Sequence, residues 1–422
     1  MTIQYFPPIG TSSNSSQYVQ YGGGTIDAFG RLRVSQPYTL FDSQSRYASD
    51  PAFDTSTATG GTTAFNTNQS STSLNVTTAS GSQAVRQTFR YFPYQPGKSF
   101  LLLATFVMNA GKTNLAQRVG LFDANNGVFF SQDNTTLNMN IRSNTSGTPA
   151  LTTVAQSAWN GDKLDGTGPS GLTLDVTKTQ IFFMDLEWLG VGIVRTGFVI
   201  GNQYVIAHTF YNANTTKTTV YMTTAILPIR YEIINTGVTA SSSSMTQICA
   251  SMMSEGGYEQ TSQLYWARMS GTASALGNVP VTNIFVPLVS IRLNSSKLGA
   301  VVIPGPYSVL PVTSSNYEVA LIKNATLTGA SYNTSTFADV DFDVTATAMT
   351  YTASNIVQIN YVTNTPQGTS NIIPSQGYNW DLQLGVSLAG VSDTYTLAIR
   401  TIGASGSANS AYGALGFYDL SL

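Results

Sequence analysis

Charge is what this sequence lacks. Only 19 of its 422 residues are Lys or Arg and 21 are Asp or Glu, 9% in all, against about a quarter in ordinary globular domains. No dense Lys/Arg cluster occurs, and the formal net charge is −2. That excludes a nucleic-acid partner, whose phosphates demand a basic footprint. Cys249 is the single cysteine, so an internal disulfide and a cysteine-rich metal site are both excluded. His208 is the single histidine, which leaves Ser-His-Asp chemistry one possible base. No long stretch places apolar residues at helical spacing between caps. The uncharged run between Arg268 and Arg292 is broken by Gly277, Asn278, Pro280, Asn283 and Pro287, so it leaves no apolar run of about 18 residues to cross a membrane. Met1–Pro8 lacks the basic start and apolar core of a signal peptide.

Ser, Thr, Asn and Gly fill the surface that charge leaves vacant. Hydroxyls and amides lose less than ions when they are desolvated. Such a surface suits a chain that presses large areas against copies of itself. With so little charge, a free monomer would also have weak colloidal protection. The composition therefore predicts a homo-oligomer. The 22 Tyr and 20 Phe favour pleated, half-buried surfaces.

Runs of Val, Ile, Thr, Tyr and Phe recur between Gly, Asn, Ser and Asp clusters, the pattern of strands and turns. Phe100–Met108 is apolar enough for a strand buried on both faces. Ile181–Leu189, Ile193–Ile200 and Gln203–Phe210 are separated by Gly190-Val191-Gly192 and Gly201-Asn202. They predict a three-stranded antiparallel meander of the kind found in two-sheet sandwiches. In Val85–Tyr91 the alternation sets Val85, Gln87, Phe89 and Tyr91 on one face and Arg86, Thr88 and Arg90 on the other. The expected class is all-β. An extended N-terminal anchoring arm (1–42) precedes a large jelly-roll-like β-sandwich domain (43–280) and a smaller C-terminal β-sandwich domain (281–422). The junction is placed near Gly277–Asn283.

Three groups of residues invite a chemical reading. Asp185 and Glu187 have period-two spacing and share a strand face, as paired glycosidase carboxylates do. Strict alternation puts Trp188 on the opposite face, and Arg195 on the partner strand offers a plain ion-pair role. Asp339, Asp341 and Asp343 also share one face, about 6–7 Å apart. They suit either calcium, with help from loop oxygens, or an exposed strand whose acidic row discourages edge pairing; the second reading is preferred. His208 lies on a strand with no Gly-x-Ser-x-Gly turn beside it, which makes it structural. Arg31 and Arg33 in the arm could meet an acidic patch on a neighbour, and Tyr91–Tyr94 could stack on sugars or line an interface. No catalytic, cofactor-binding or metal residue is assigned, and no cofactor is expected.

Three segments carry a resemblance: Gly30–Asp42 (GRLRVSQPYTLFD), Asp185–Asn212 (DLEWLGVGIVRTGFVIGNQYVIAHTFYN) and Val286–Ala330 (VPLVSIRLN through NATLTGA). In order along the chain, they resemble a family of virion structural proteins of tailed bacteriophages, notably phages of cyanobacteria and marine bacteria, with related modules in giant viruses. The resemblance implies a concanavalin-type or jelly-roll domain in a tail, fibre, spike or capsid decoration located in the virion. It brings no catalytic residues. The expectation is a non-enzymatic structural protein, a trimer at first guess. Its partners would be copies of itself, other virion proteins (capsid, tail or portal-associated) and host surface glycan, with no nucleic acid and no membrane insertion. The alternative is a lectin-like receptor-recognition protein. The remote alternative is a polysaccharide depolymerase using Asp185 and Glu187.

Overall fold

A computed structural model describes residues 27, 30, 37–259, 261–269, 284–312, 315–363, 371–372, 380–403 and 410–421. Most of the predicted arm, with Arg31 and Arg33, and the whole of the predicted junction lie outside these residues. Among the described residues every ladder is antiparallel, and the helical turns are short 3-10 pieces such as Gln156–Ala158. The all-β class is therefore the observed one.

The chain forms two compact units. One contains residues up to Thr88 and Tyr94–Tyr258; the other contains Phe89–Pro93 and the residues from Glu259 onward.

In the first unit the strands run β1 (Tyr38–Gln44), β2 (Phe53–Ala58), β3 (Thr62–Asn66), β4 (Ser71–Val76) and β5 (Gln83–Thr88). Next come β6 (Ser99–Val107), β7 (Leu115–Phe122), β8 (Gly127–Asp133), β9 (Thr136–Ser143) and β10 (Ala150–Ala155). The last are β11 (Gln180–Leu186), β12 (Val194–Ile200), β13 (Gln203–Phe210), β14 (Ile229–Asn235) and β15 (Ser243–Glu255). They build an eight-stranded sheet in the order β13-β12-β11-β6-β15-β4-β3, with β1 also on β15, and a seven-stranded sheet in the order β10-β9-β8-β7-β14-β5-β2. This is a concanavalin-like jelly-roll sandwich.

Alternation explains the layering. On β6 the side chains of Phe100, Leu102, Ala104 and Phe106 are buried between the sheets, whereas Leu103 and Thr105 point out and are half-buried. Phe106, Phe130, Phe182 and Phe198 meet in the core with ring centroids 5.1–6.0 Å apart. Each such ring contributes roughly 2–3 kcal/mol by leaving water. The predicted meander is β11-β12-β13. Its second turn falls at Gly201 and Asn202, both with positive φ (58° and 61°), which is the backbone a tight two-residue hairpin needs.

Strand β5 is buried on both faces. The face of β5 carrying Arg86 and Thr88 turns inward: the Arg86 guanidinium lies 5.5 Å from the Phe53 ring centre and donates to the Asp50 carbonyl at 3.0 Å. Burial lowers the pKa of that guanidinium from its ordinary value, partly offset by Asp50. Val85 and Gln87, on the other face of β5, are buried as well.

The second unit is a smaller sandwich. Its six-stranded sheet runs Asn333–Thr334, Val340–Asp343, Val286–Leu293, Thr394–Thr401, Asn316–Lys323, Ile356–Thr363. Its four-stranded sheet runs Leu264–Arg268, Ala411–Asp419, Val302–Pro311, Asn371–Ile372. Val289, Ile291, Tyr317, Leu397 and Phe417 contribute to the core. The segment Phe89–Pro93 belongs here: the Phe89 carbonyl accepts from the Val386 amide at 2.8 Å, and the Tyr91 carbonyl accepts from Gln383 Nε2 at 2.8 Å.

Candidate functional site

The outer face of the eight-stranded sheet gathers the chemistry of the first unit. Outward side chains include Asp185 and Phe183 on β11, Leu101, Leu103 and Thr105 on β6, Ser251 on β15 and Asp42 on β1, placed together by the registers Asp185–Leu101, Leu103–Ser251 and Asp42–Ser251. On this face lies a cavity of about 450 Å³. Its walls include Asp42, Ser45, Arg46, Gln69, Leu103 and Thr105, with Cys249 at its side. Hydroxyls, amides and one ion of each sign thus surround a leucine. Ser45 is 2% exposed, and its hydroxyl has no hydrogen-bond partner among the described residues. The Cys249 side chain is exposed.

Arg195 stands opposite Asp185 on β12, and Glu187 follows just past the end of β11. The environment differs from a solvated strand. Asp185 is fully buried and ion-paired to Arg195. Glu187 is buried under the turn that follows: Oε2 accepts the Ile193 amide at 3.3 Å, and a Cβ on Gly192 would come 1.7 Å from that oxygen. The Tyr221 hydroxyl donates to the Glu187 carbonyl at 3.3 Å. Burial, with Glu187 and Tyr94 nearby, pushes the Tyr221 hydroxyl far above its ordinary pKa range, so it remains a donor. The Tyr94 hydroxyl accepts the amides of Trp188 and Leu189 at 3.2 and 3.3 Å. The carboxylate pair is thus the centre of a closed polar knot, and the cavity is the open part of the face.

The other candidates are spread elsewhere. His208 turns to the side of Thr196, its Nδ1 accepts the Asn160 amide at 3.3 Å, and its ring meets Phe210 at 4.5 Å. Burial lowers the His208 pKa. In the second unit the acidic row is neither an exposed edge nor a shared site. Val340–Asp343 lies between two strands. Asp343 accepts the amides of Ser331, Thr345 and Ala346 at 2.8–3.1 Å. Asp341 is held by Asn294 at 2.9 Å and Arg292 at 3.6 Å, and Asp339 lies 3.7 Å from Lys297. Among the described residues no group of three potential metal ligands converges. Tyr94 packs against Phe100 and Trp188, while Tyr91 belongs to the second unit.

Sequence reasoning missed the cavity. Its walls come from stretches around positions 42–46, 69–70, 103–105 and 248–251, and only strand register brings them together. The one local signal was the polar run Asp42–Arg46 at and just after the end of the predicted arm.

By fold, the first unit belongs to the concanavalin-like sandwiches. No family model and no curated protein matches the chain. Solved structures similar to it include a Bacillus licheniformis β-glucanase, with 9% identity, 51% of this chain and 97% of that one covered, and a TM-score of 0.33. A β-1,3-glucanase from Mycobacterium marinum has 9% identity, coverage of 51% and 98%, and a TM-score of 0.35. The CBM2 module of the evolved Dit of Lactobacillus casei BL23 phage J-1 has 5% identity, coverage of 53% and 99%, and a TM-score of 0.36. This likeness to a phage module is distant. The expectation that the chain is no enzyme is corrected here: two of these three similar structures are glucanases.

Proposed function

We propose that the chain binds carbohydrate in the cavity on the outer face of its eight-stranded sheet. The observation that carries this reading is the wall chemistry. A sugar presents hydroxyls on its rim and C–H groups on its faces. Asp42, Gln69 and Arg46 match the first, and Leu103 matches the second. Ligand sites commonly combine an apolar patch with a few fixed polar groups in this way. The volume of about 450 Å³ accommodates one or two sugar rings.

A glycan array with the intact protein, followed by calorimetry on the best ligand, tests the reading. Leu103→Arg fills the cavity from a half-buried outward position and is expected to reduce affinity at least tenfold while the fold persists. Saccharide binding that Leu103→Arg leaves unchanged, or the absence of any binding, refutes it. Assaying the same saccharides for released reducing ends asks separately whether binding is accompanied by cleavage.

The setting we propose for this binder is a virion surface, as a tail, fibre, spike or decoration component. Support comes from the three phage-like segments and from the low charge, which favours assembly. Mass spectrometry of purified particles tests it: copies in small multiples or in the hundreds support a virion component, and absence from the particles overturns it.

A further inference from the structure

The outer face of the seven-stranded sheet gathers charge in a chain that otherwise has little. Phe130 packs in the core against Phe106, so the next residue, Phe129, points outward. Strand register puts Arg118, Arg230 and Arg142 on the same side as Phe129, from β7, β14 and β9. Three of the protein's 19 basic residues therefore meet on one face.

They are not equally matched. Glu232 is buried, and its Oε1 accepts from Arg118 at 2.5 Å while its Oε2 accepts from Arg230 Nε at 2.9 Å. Arg118 also lies 3.7 Å from Asp133. Arg142 makes no ion pair among the described residues; its Nη1 donates to the Asp123 carbonyl at 2.5 Å. The Asp123 carboxylate is taken up by the amides of Asn125 and Asn126 at 2.7 and 2.8 Å. The Arg142 guanidinium lies 5.5 and 5.2 Å from the ring centres of Phe122 and Phe129, which hold it in place.

Burial lowers the pKa of Arg142, and the charges of Arg118 and Arg230 act in the same sense, with Glu232 and Asp123 opposing them. Because a guanidinium keeps its proton in water, this repulsion stays in the protein, and an anion at Arg142 relieves it. Leu151, the register partner of Arg142 on β10, is 52% exposed, so an apolar contact lies beside the charge.

We propose that this face binds the carboxylate or sulfate groups of an acidic saccharide, with Arg142 as the donor fork and Leu151 against the C–H face of the sugar. A planar guanidinium meets either oxyanion through two parallel hydrogen bonds. The site lies on the other sheet from the cavity, and the two readings stand or fall separately.

Calorimetry on the full chain tests it, with polygalacturonate, dextran sulfate, neutral dextran and inorganic sulfate as probes. The polymer that binds tells carboxylate from sulfate. Its affinity should fall at least tenfold in Arg142→Gln and also as salt is raised. Neutral dextran reads uncharged-sugar binding alone, and Arg142→Gln should leave that unchanged. Circular dichroism checks folding. If Arg142→Gln does not fold, phenylglyoxal labelling of the wild type decides: peptide mass spectrometry should find Arg142 labelled, and the bound polymer should protect it. The proposal is overturned if neither charged polymer binds, if only inorganic sulfate does, or if a folded Arg142→Gln binds the polymer as tightly as the wild type. Absent or unprotected labelling of Arg142 overturns it equally.

Discussion

Arg195 stands directly opposite Asp185 across β11 and β12, and their ion pair is closed to solvent. Removing one member of such a pair strands the other in a medium that solvates it poorly. Arg195→Met is therefore expected to destabilise the protein by about 3–5 kcal/mol. Replacing both, as Asp185→Leu with Arg195→Met, should cost less than the single change. Urea denaturation midpoints of the two variants check this; a double variant less stable than Arg195→Met contradicts it.

Glu187 is held by a turn that has no room for another atom. A Cβ at position 192 would come within 1.7 Å of its carboxylate and 2.5 Å of its carbonyl. Gly192→Ala should lower stability by roughly 1–3 kcal/mol through this overpacking, read as a drop in the thermal midpoint. Gly201→Ala places its Cβ in open space, so what it loses should come from its positive φ alone.

Ser45 offers the opposite sign. A buried hydroxyl without a partner costs desolvation and gives nothing back. Ser45→Ala should raise the stability of the protein by about 1 kcal/mol, read from urea denaturation midpoints; an unchanged or lower midpoint contradicts it.

The single histidine lets one pH dependence be assigned. Burial depresses the His208 pKa in the folded state, so the folded protein takes up its proton later than the unfolded chain does. The stability this group contributes is present above its unfolded value near 6.5 and is lost as pH falls through the folded value. Denaturation midpoints should decline from pH 7.5 toward pH 5.5, and His208→Gln should flatten the decline. A slope that persists in His208→Gln assigns it to the carboxylates.

Much of the first sandwich was legible because its signals are local. The meander β11-β12-β13 follows from three apolar runs and from Gly201-Asn202, whose backbone only a tight hairpin uses. Asp185 and Arg195 could be paired from the preceding turn, Gly190-Val191-Gly192, which joins β11 to β12. What had no local signal was the environment of single side chains. The Arg86 guanidinium finds Phe53 and the Asp50 carbonyl, partners more than 30 positions away. The acidic row at 339–343 failed for the same reason: its amide and cation partners, such as Ser331 and Asn294, lie in other loops and strands. The cavity has no local pattern at all, because four separated stretches meet only when β1, β6 and β15 lie side by side.

The grouping of Phe89–Pro93 bears on how the gene can be cut. A fragment beginning at Glu259 would leave the amides of Val386 and Gln383 Nε2 without the carbonyls they donate to. A fragment ending at Tyr258 would keep five residues whose companions are gone. During synthesis those five must also wait for nearly three hundred further residues before meeting Gln383 and Val386. The two halves are separate in packing yet interleaved along the polypeptide, so neither is a portable piece in its contiguous form.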